Sequence, residues 1–179
     1  MESGYHSALW LDLATMFVDA QRIARFVEPL VAGLRPHRVD VVCGPLVGGA
    51  FLAQLVAQSL GVEFWFTERF IPAGSQGMYQ ARYVLPPALA TGAAGKRVAI
   101  VDDAMSAGSA LRGTLSALES HGARIVAAGA LLVLGDVGVS FFADLGIPVI
   151  AVTGEAYSSW LPADCPLCAE DVPLEQVTD

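Results

Sequence analysis

The sequence is poor in positive charge, and only one of its basic residues, Lys96, is a lysine. Ten basic residues stand against 18 acidic ones, so the formal net charge is −8. General nucleic-acid binding needs a cluster of basic residues. The sequence has no such cluster, so we expect no nucleic-acid partner. An anionic ligand would have to be bound locally, by backbone N–H groups, a few arginines and a metal ion.

Cysteines and long apolar runs are also scarce. The three cysteines, Cys43, Cys165 and Cys168, do not form a disulfide framework. Glycine, proline and charged residues interrupt every apolar run before it is long enough to span a bilayer. The first residues lack the basic segment and the apolar core of a signal peptide. We therefore expect a cytoplasmic protein with no membrane partner.

The sequence is instead rich in apolar residues, which occur in alternating strand and helix patterns. Of its 179 residues 54% are hydrophobic and only 16% are charged, which fits a single domain over 1–179 with a sheet buried on both faces. Strand, loop and helix patterns alternate, and this predicts an α/β fold with a parallel sheet and right-handed crossovers. We predict helices at 19–31, 49–60 and 137–145, and strands at 39–43, 62–67, 98–101, 125–134 and 146–152.

The most informative stretch begins with the apolar strand predicted at 98–101. Asp102 and Asp103, called the acid pair below, follow it directly. Carboxylates at a strand end are placed to accept hydrogen bonds from sugar hydroxyls or to bind Mg²⁺.

The tetrapeptide Ser106-Ala107-Gly108-Ser109, called the serine loop below, comes three residues later. Leucines at helical spacing follow it, so the loop joins a strand to a helix. Backbone N–H groups at the start of a helix lack intrahelical partners and bind phosphate. Together with the acid pair, the loop indicates a sugar phosphate site. The alternative, surface aspartates before an ordinary capped helix, fits any α/β protein.

A second candidate anion site is the segment Gly44–Gly49, called the glycine loop below. Its glycines follow a predicted strand and allow several backbone N–H groups to turn toward one point. Taken alone, the segment fits a tight turn between a strand and a helix equally well.

Residues 70–95 have a different composition, rich in Gly, Pro, Ala, Gln and Tyr and without sustained periodicity. So long a segment without regular structure is unusual in a compact domain and is typical of a mobile lid or a binding loop. The alternative is a mobile surface excursion with a hairpin around 74–77.

The acid pair and the serine loop together resemble the 5-phosphoribosyl 1-diphosphate (PRPP) signature of the type I phosphoribosyltransferases. The resemblance implies this family's fold, a Rossmann-like parallel sheet flanked by helices with a flexible loop or hood. It implies that Asp102 and Asp103 are catalytic and hold Mg²⁺, the expected cofactor. The residues that it implies bind PRPP are Ser106, Ala107, Gly108, Ser109, Leu46, Val47, Gly48 and Gly49.

Both ends of the chain resemble one branch of that family, the orotate phosphoribosyltransferases. The segment 3–7 is similar to their N-terminal element, and 165–174 is similar to a Cys-Pro-Leu-Cys tail within the branch. The resemblance implies transfer of ribose 5-phosphate from PRPP to a nitrogenous base, with orotate as the first expectation. It implies that His6 and Arg69 bind substrate and that Arg82 is catalytic, acting on the leaving diphosphate.

The basic residues depart from the pattern of that branch. The 70–95 loop has no lysine, Ala81 precedes Arg82 where two arginines are usual, and Leu134-Gly135-Asp136 stands where an arginine holds the carboxylate of the base. Two alternatives therefore stay open. One is a phosphoribosyltransferase for a different base, and the other is a protein that senses PRPP or a nucleotide and has lost catalysis.

The resemblance also implies a homodimer. Four apolar residues near the N-terminus are candidates for an intersubunit contact or, alternatively, for the intramolecular core: Leu9, Trp10, Leu11 and Leu13.

The C-terminal tail, about 157–179, carries Cys165 and Cys168 at the spacing of half a zinc site. Only Cys43 remains as a further thiol, and no histidine lies nearby in the sequence. The sequence therefore favours a reduced thiol pair over a metal site.

Overall fold

The structure, a computed structural model, describes residues 3–9, 11, 13–74 and 78–174. Within these residues the strands are β1 (His6–Ser7), β2 (Val41–Pro45), β3 (Glu63–Phe70), β4 (Arg82–Val84), β5 (Arg97–Met105), β6 (Arg124–Leu134), β7 (Val149–Glu155) and β8 (Ser159–Trp160). The α-helices are α1 (Ala20–Leu34), α2 (Gly48–Leu60), α3 (Pro87–Ala90), α4 (Ser109–Glu119), α5 (Val137–Asp144) and α6 (Pro166–Ala169). Short 3₁₀ turns lie at Ala14–Val18, Arg35–His37 and Pro162–Asp164.

The central sheet has six strands in the order β4-β3-β2-β5-β6-β7. All neighbours are parallel except β4, which runs antiparallel to β3. The predicted α/β fold is therefore confirmed. Strands β3 and β4 extend the sheet on one side of β2, and β5, β6 and β7 extend it on the other side. The direction in which strands are added therefore reverses between β2 and β5. In open α/β sheets ligands bind outside the carboxyl ends of the strands at this reversal.

The core lies on both faces of this sheet. In β5, Val98 and Ile100 join the cluster that includes Leu111, Leu115 and Leu118 of α4. The alternate residues Ala99 and Val101 join the opposite cluster, built with α1 and α2. Because both sides of the strand are buried, it is apolar at every position from Val98 to the acid pair.

Strand β5 continues through the acid pair to Met105, so the prediction that the strand ends at residue 101 is wrong. Beyond a register shift between Val98 and Ala99, the backbone keeps its register with β6 as far as the pair Met105↔Val133. The change from apolar to acidic side chains therefore marks the edge of the core and not the end of the strand. For a similar reason β3 extends to Phe70, where it still pairs with Arg82 of β4.

The region 70–95 has more regular structure than its composition suggests. It contains β4 and α3, and β3 and β4 form an antiparallel hairpin, as in the alternative interpretation; residues 75–77, on which the predicted tip falls, lie outside the described residues. Tyr83 of β4 is buried because its ring packs against Gly113 of α4, where an added Cβ would lie 2.2 Å from Tyr83 Cδ2. Among the described residues, no helix combines the length and the apolar character needed to cross a membrane.

Candidate functional site

The acid pair and the glycine loop meet at the strand reversal between β2 and β5. A Cβ added to Gly48 would lie 2.2 Å from Asp103 Oδ2, and one added to Gly49 would lie 2.7 Å from Asp102 Oδ1. Only glycine allows so close an approach at these positions. The start of α2 is thus packed directly against the two carboxylates, as expected if both contact one ligand.

The glycine loop is held in place through its backbone. A Cβ on Gly44 would lie 2.0 Å from Gly49 O, so the two ends of the loop are in contact. Leu46 N donates a 2.9 Å hydrogen bond to Thr67 O in β3, and the buried hydroxyl of Thr67 shares a 2.8 Å hydrogen bond with that of Thr114 in α4. Leu46 and Val47, joined by a cis peptide bond, are exposed at the loop tip.

The serine loop leads into α4 with its N–H groups available. Gly108 is the N-cap of α4 and has φ +75°, a conformation suited to glycine. Because the N-cap residue is glycine, it has no side chain that could accept a hydrogen bond from the N-terminal N–H groups of α4. Ser106 O accepts a 3.0 Å hydrogen bond from Gly138 N, which ties the loop to the start of α5. The helix start therefore offers N–H donors and a favourable dipole to a phosphate.

The acid pair is partly removed from water. Asp102 is only 9% exposed, and its Oδ1 accepts a 3.0 Å hydrogen bond from Asp103 N. Burial raises the pKa of Asp103, although hydrogen bonds from the Ala104 N–H and within the acid pair partly oppose the shift. A desolvated carboxylate gains more than an exposed one from a hydroxyl donor or a cation. Asp102 and Asp103 therefore suit either a ribose or Mg²⁺.

The other predicted site residues lie on elements other than β5 and α2. Arg69 and Arg82 are exposed on the β3–β4 hairpin, at the edge of the sheet, and stay predicted substrate and leaving-group contacts. His6 lies on β1, where its Nδ1 is 3.2 Å from Cys168 Sγ. Lys96 precedes β5 at the opposite end of the sheet and pairs with Glu63, so the one lysine of the chain is remote from the site.

Arg112, in the first turn of α4, is a further candidate site residue that no sequence motif indicated. Its Cζ lies 4.0 Å from the ring centroid of Phe141 and 5.0 Å from that of Tyr79. One Nη donates a 3.4 Å hydrogen bond to Val137 O, while the buried Nε has no hydrogen-bond partner among the described residues. The three-residue spacing from Ser109 was the available signal, since it places a cation one turn after the serine loop.

Residues 15–138 of this chain match the family described as phosphoribosyl transferase domain. The orotate phosphoribosyltransferase of Heliobacterium modesticaldum is 32% identical over 181 residues, covering 97% of this chain and 84% of that protein. The Thermotoga maritima orotate phosphoribosyltransferase is 27% identical over 176 residues, covering 98% and 87%.

Solved structures have the same fold. The orotate phosphoribosyltransferase of Aeropyrum pernix aligns with a TM-score of 0.66 at 21% identity, over 86% of this chain and 83% of that one. The adenine phosphoribosyltransferase of Thermoanaerobacter pseudethanolicus aligns with a TM-score of 0.66 at 22% identity, over 82% and 88%. At these identities the structural likeness concerns the fold alone.

Proposed function

This chain belongs to the phosphoribosyltransferase family, and from that premise we propose that it transfers ribose 5-phosphate from PRPP to orotate, releasing diphosphate and orotidine 5′-phosphate, a pyrimidine nucleotide. The observation that carries the proposal is the contact of the glycine loop with the acid pair at the strand reversal. This contact brings the glycine loop to the two carboxylates, and the serine loop follows the same strand three residues later; together these are the groups that a diphosphorylated ribose requires.

In this proposal each loop binds one end of PRPP. The serine loop binds the 5-phosphate through the N–H groups at the start of α4, and Leu46 to Gly49 bind the diphosphate. Asp102 and Asp103 lie between the two loops and accept hydrogen bonds from the ribose hydroxyls. The ribose is thereby held at both ends and in the middle, which fixes its anomeric carbon relative to the incoming base.

Mg²⁺ fits the donor set at this position. It prefers carboxylate and phosphate oxygens, and the desolvated oxygens of Asp102 and Asp103 are such ligands. Bound there, Mg²⁺ would neutralise charge on the diphosphate. The chain's own contribution to the reaction is electrostatic, because the two carboxylates favour the positive charge that develops on the ribose as the diphosphate leaves. No covalent nucleophile is required.

Arg112 supports orotate as the base. Orotate differs from other pyrimidines by a carboxylate, and a guanidinium is the side chain best suited to bind a carboxylate. Arg112 supplies such a group one turn beyond the serine loop. Its guanidinium lies between the rings of Tyr79 and Phe141, and its buried Nε has no hydrogen-bond partner among the described residues. The curated relatives named above, which cover 97% or more of this chain, are also orotate enzymes.

A different base is the second candidate. It is favoured by Leu134-Gly135-Asp136 at the end of β6, where the resemblance implies an arginine and this chain has a carboxylate. The experiment that separates the candidates follows diphosphate release with Mg²⁺, PRPP and a panel of bases. We expect release with orotate and none without a base.

Release only with adenine or another base would replace orotate, and release with no base in a broad panel would contradict the transferase proposal. The paired substitution Asp102→Asn and Asp103→Asn is the matched control. It conserves shape and should abolish the reaction while the far-UV circular dichroism stays unchanged.

We propose that the chain acts as a homodimer. Leu9 and Leu11 near the N-terminus are 56% and 38% exposed and provide apolar surface for a contact. Light scattering after size-exclusion chromatography should give twice the 18.7 kDa mass of one chain. A monomer at micromolar concentration would contradict this.

A further inference from the structure

The two ends of the chain meet beside the central sheet. Strands β1 and β8 pair antiparallel, with His6 opposite Trp160 and Ser7 opposite Ser159. The chain after β8 turns through Pro162–Asp164 into α6, which carries Cys165 at its N-cap and Cys168 within it. A histidine that is remote in sequence is thereby brought to the two cysteines.

The three side chains converge on one point. The ligand atoms of His6, Cys165 and Cys168 all lie within 4.8 Å of one another, and His6 Nδ1 is 3.2 Å from Cys168 Sγ. A tetrahedral zinc ion with Zn–S of about 2.3 Å and Zn–N of about 2.0 Å separates its ligand atoms by roughly 3.5 to 3.8 Å. The observed cluster is close to this size before any ion is added.

We propose that His6, Cys165 and Cys168 bind a zinc ion. Two thiolates and an imidazole are characteristic zinc ligands, and three protein ligands leave the fourth tetrahedral position to water. The cysteine pair alone is half a zinc site. The imidazole of His6, which is remote from the cysteines in the sequence, supplies a third ligand. Cys43 is buried in the core of the sheet and belongs to a different cluster.

The surroundings of Cys165 support a bound metal. Its side chain is buried, and it lies at the N-cap of α6 with its sulfur within 4.8 Å of the other two ligand atoms. A buried ligand of this kind limits the access of solvent to a bound metal. Cys168 is exposed, so an ion can enter from the solvent side.

The zinc site would fix the N-terminal segment against the substrate pocket. Ser3 O accepts a 3.1 Å hydrogen bond from Tyr79 N, and Gly4 packs against Met78, to which an added Cβ would lie at 3.1 Å. Tyr79 in turn covers the guanidinium of Arg112. Anchoring His6 to the C-terminal tail therefore holds the segment that supports Tyr79, and His6 acts as a positioning residue.

The test is the zinc content and affinity of the full chain, purified without chelators and with any affinity tag removed. Elemental analysis should give one zinc per chain after incubation with zinc and desalting. Competition with a chromogenic chelator then compares Cys168→Ser and His6→Gln with His121→Gln, a control that removes an exposed histidine outside the cluster. Removing a ligand should weaken binding by more than the about 10- to 100-fold that an outer-shell substitution costs, and the control should match the wild type.

Cobalt(II) gives a second readout that depends on ligand identity. The cobalt-loaded wild type should show thiolate-to-cobalt charge-transfer bands with intense tetrahedral d–d bands, and Cys168→Ser should weaken the former. Hydrogen exchange in residues 3–9 should slow when zinc is added to the wild type and stay unchanged in His6→Gln.

A zinc-treated wild type that retains no stoichiometric zinc would overturn the proposal and leave the cysteines as a thiol pair. Equal affinity in the wild type and in His6→Gln would also overturn it, because His6 would then not be a ligand. Zinc binding itself does not require the proposed transferase activity, so the two proposals can be tested separately. Asp103→Asn should retain the zinc while losing PRPP-dependent diphosphate release, so failure of one proposal does not imply failure of the other.

Discussion

Replacing Gly48 with alanine tests the contact on which the site depends. The new Cβ would lie 2.2 Å from Asp103 Oδ2 and 2.8 Å from its Cγ. Ordinary contacts begin at 3.4 Å, so the carboxylate and the loop must separate by about 1.2 Å, the difference between 3.4 and 2.2. A displacement of about 1 Å at a catalytic group costs about 10²-fold in rate, equivalent to about 2.7 kcal/mol. We therefore expect kcat/KM to fall about 100-fold.

The effect on stability should be smaller. Overpacking costs about 1 to 3 kcal/mol, and the helix propensity of alanine over glycine returns up to about 1 kcal/mol. A net cost of about 0 to 2 kcal/mol lowers the Tm by at most several degrees in a domain of this size. At the assay temperature the variant should stay folded while it loses activity.

Gly92→Ala is the matched control, because the nearest atom to its new Cβ is Leu89 O at 3.9 Å. It should keep wild-type kcat/KM and a Tm within a degree or two. Diphosphate release measures the rates, and differential scanning calorimetry measures the Tm. If Gly48→Ala stays within threefold of wild-type activity, the claim that the glycine loop and Asp103 form one site is refuted.

Three further substitutions test neighbouring parts of the account. Burial raises the pKa of Asp103, so the stability that its carboxyl group contributes is complete below the unfolded-state pKa and is lost as pH rises through the folded-state pKa. In chelator-treated buffer, the Tm of Asp103→Asn should therefore exceed that of the wild type by an amount that grows with pH across the weakly acidic range. A difference in Tm that shrinks with pH would contradict the assigned direction of the shift. Thr114→Val leaves the buried hydroxyl of Thr67 without its 2.8 Å partner and should cost about 1 to 3 kcal/mol in urea unfolding, whereas changing both threonines to valine should cost less than the sum of the two single changes. Arg112→Gln should lower kcat/KM for orotate about 10- to 100-fold, because a hydrogen bond to a charged group is worth about 1.5 to 3 kcal/mol. The KM for PRPP should stay unchanged. Equal losses of kcat/KM for orotate and for PRPP would argue against a contact between Arg112 and the base.

The sequence could predict the parts of the site that are local in the chain. The acid pair, the serine loop and the glycine loop each lie at or just beyond the carboxyl end of a strand, and parallel strands bring such segments to one edge of the sheet. The strand order and the close approach of Gly48 to Asp103 are long-range features. They depend on the pairing of β2 with β5, which no local pattern in the sequence specifies.

Other site features depend on packing that no local pattern encodes. The apolar periodicity of α4 did not indicate Arg112. Such a pattern predicts which face of a helix is buried, but it does not predict which residues contact the other face. His6 and Cys168 are 162 positions apart, and their contact follows from the pairing of two very short strands. The bounds of β5 differed because polarity changes at the edge of the core while backbone pairing continues.

The most direct test of the central claim is calorimetric titration of the wild type and of the paired variant Asp102→Asn with Asp103→Asn, using PRPP in the presence of Mg²⁺. The account predicts one PRPP site per chain in the wild type and at least a hundredfold weaker binding in the variant, with the fold unchanged by circular dichroism. Absence of PRPP binding to the wild type, or equal binding by the two proteins, would contradict the assignment of this pocket.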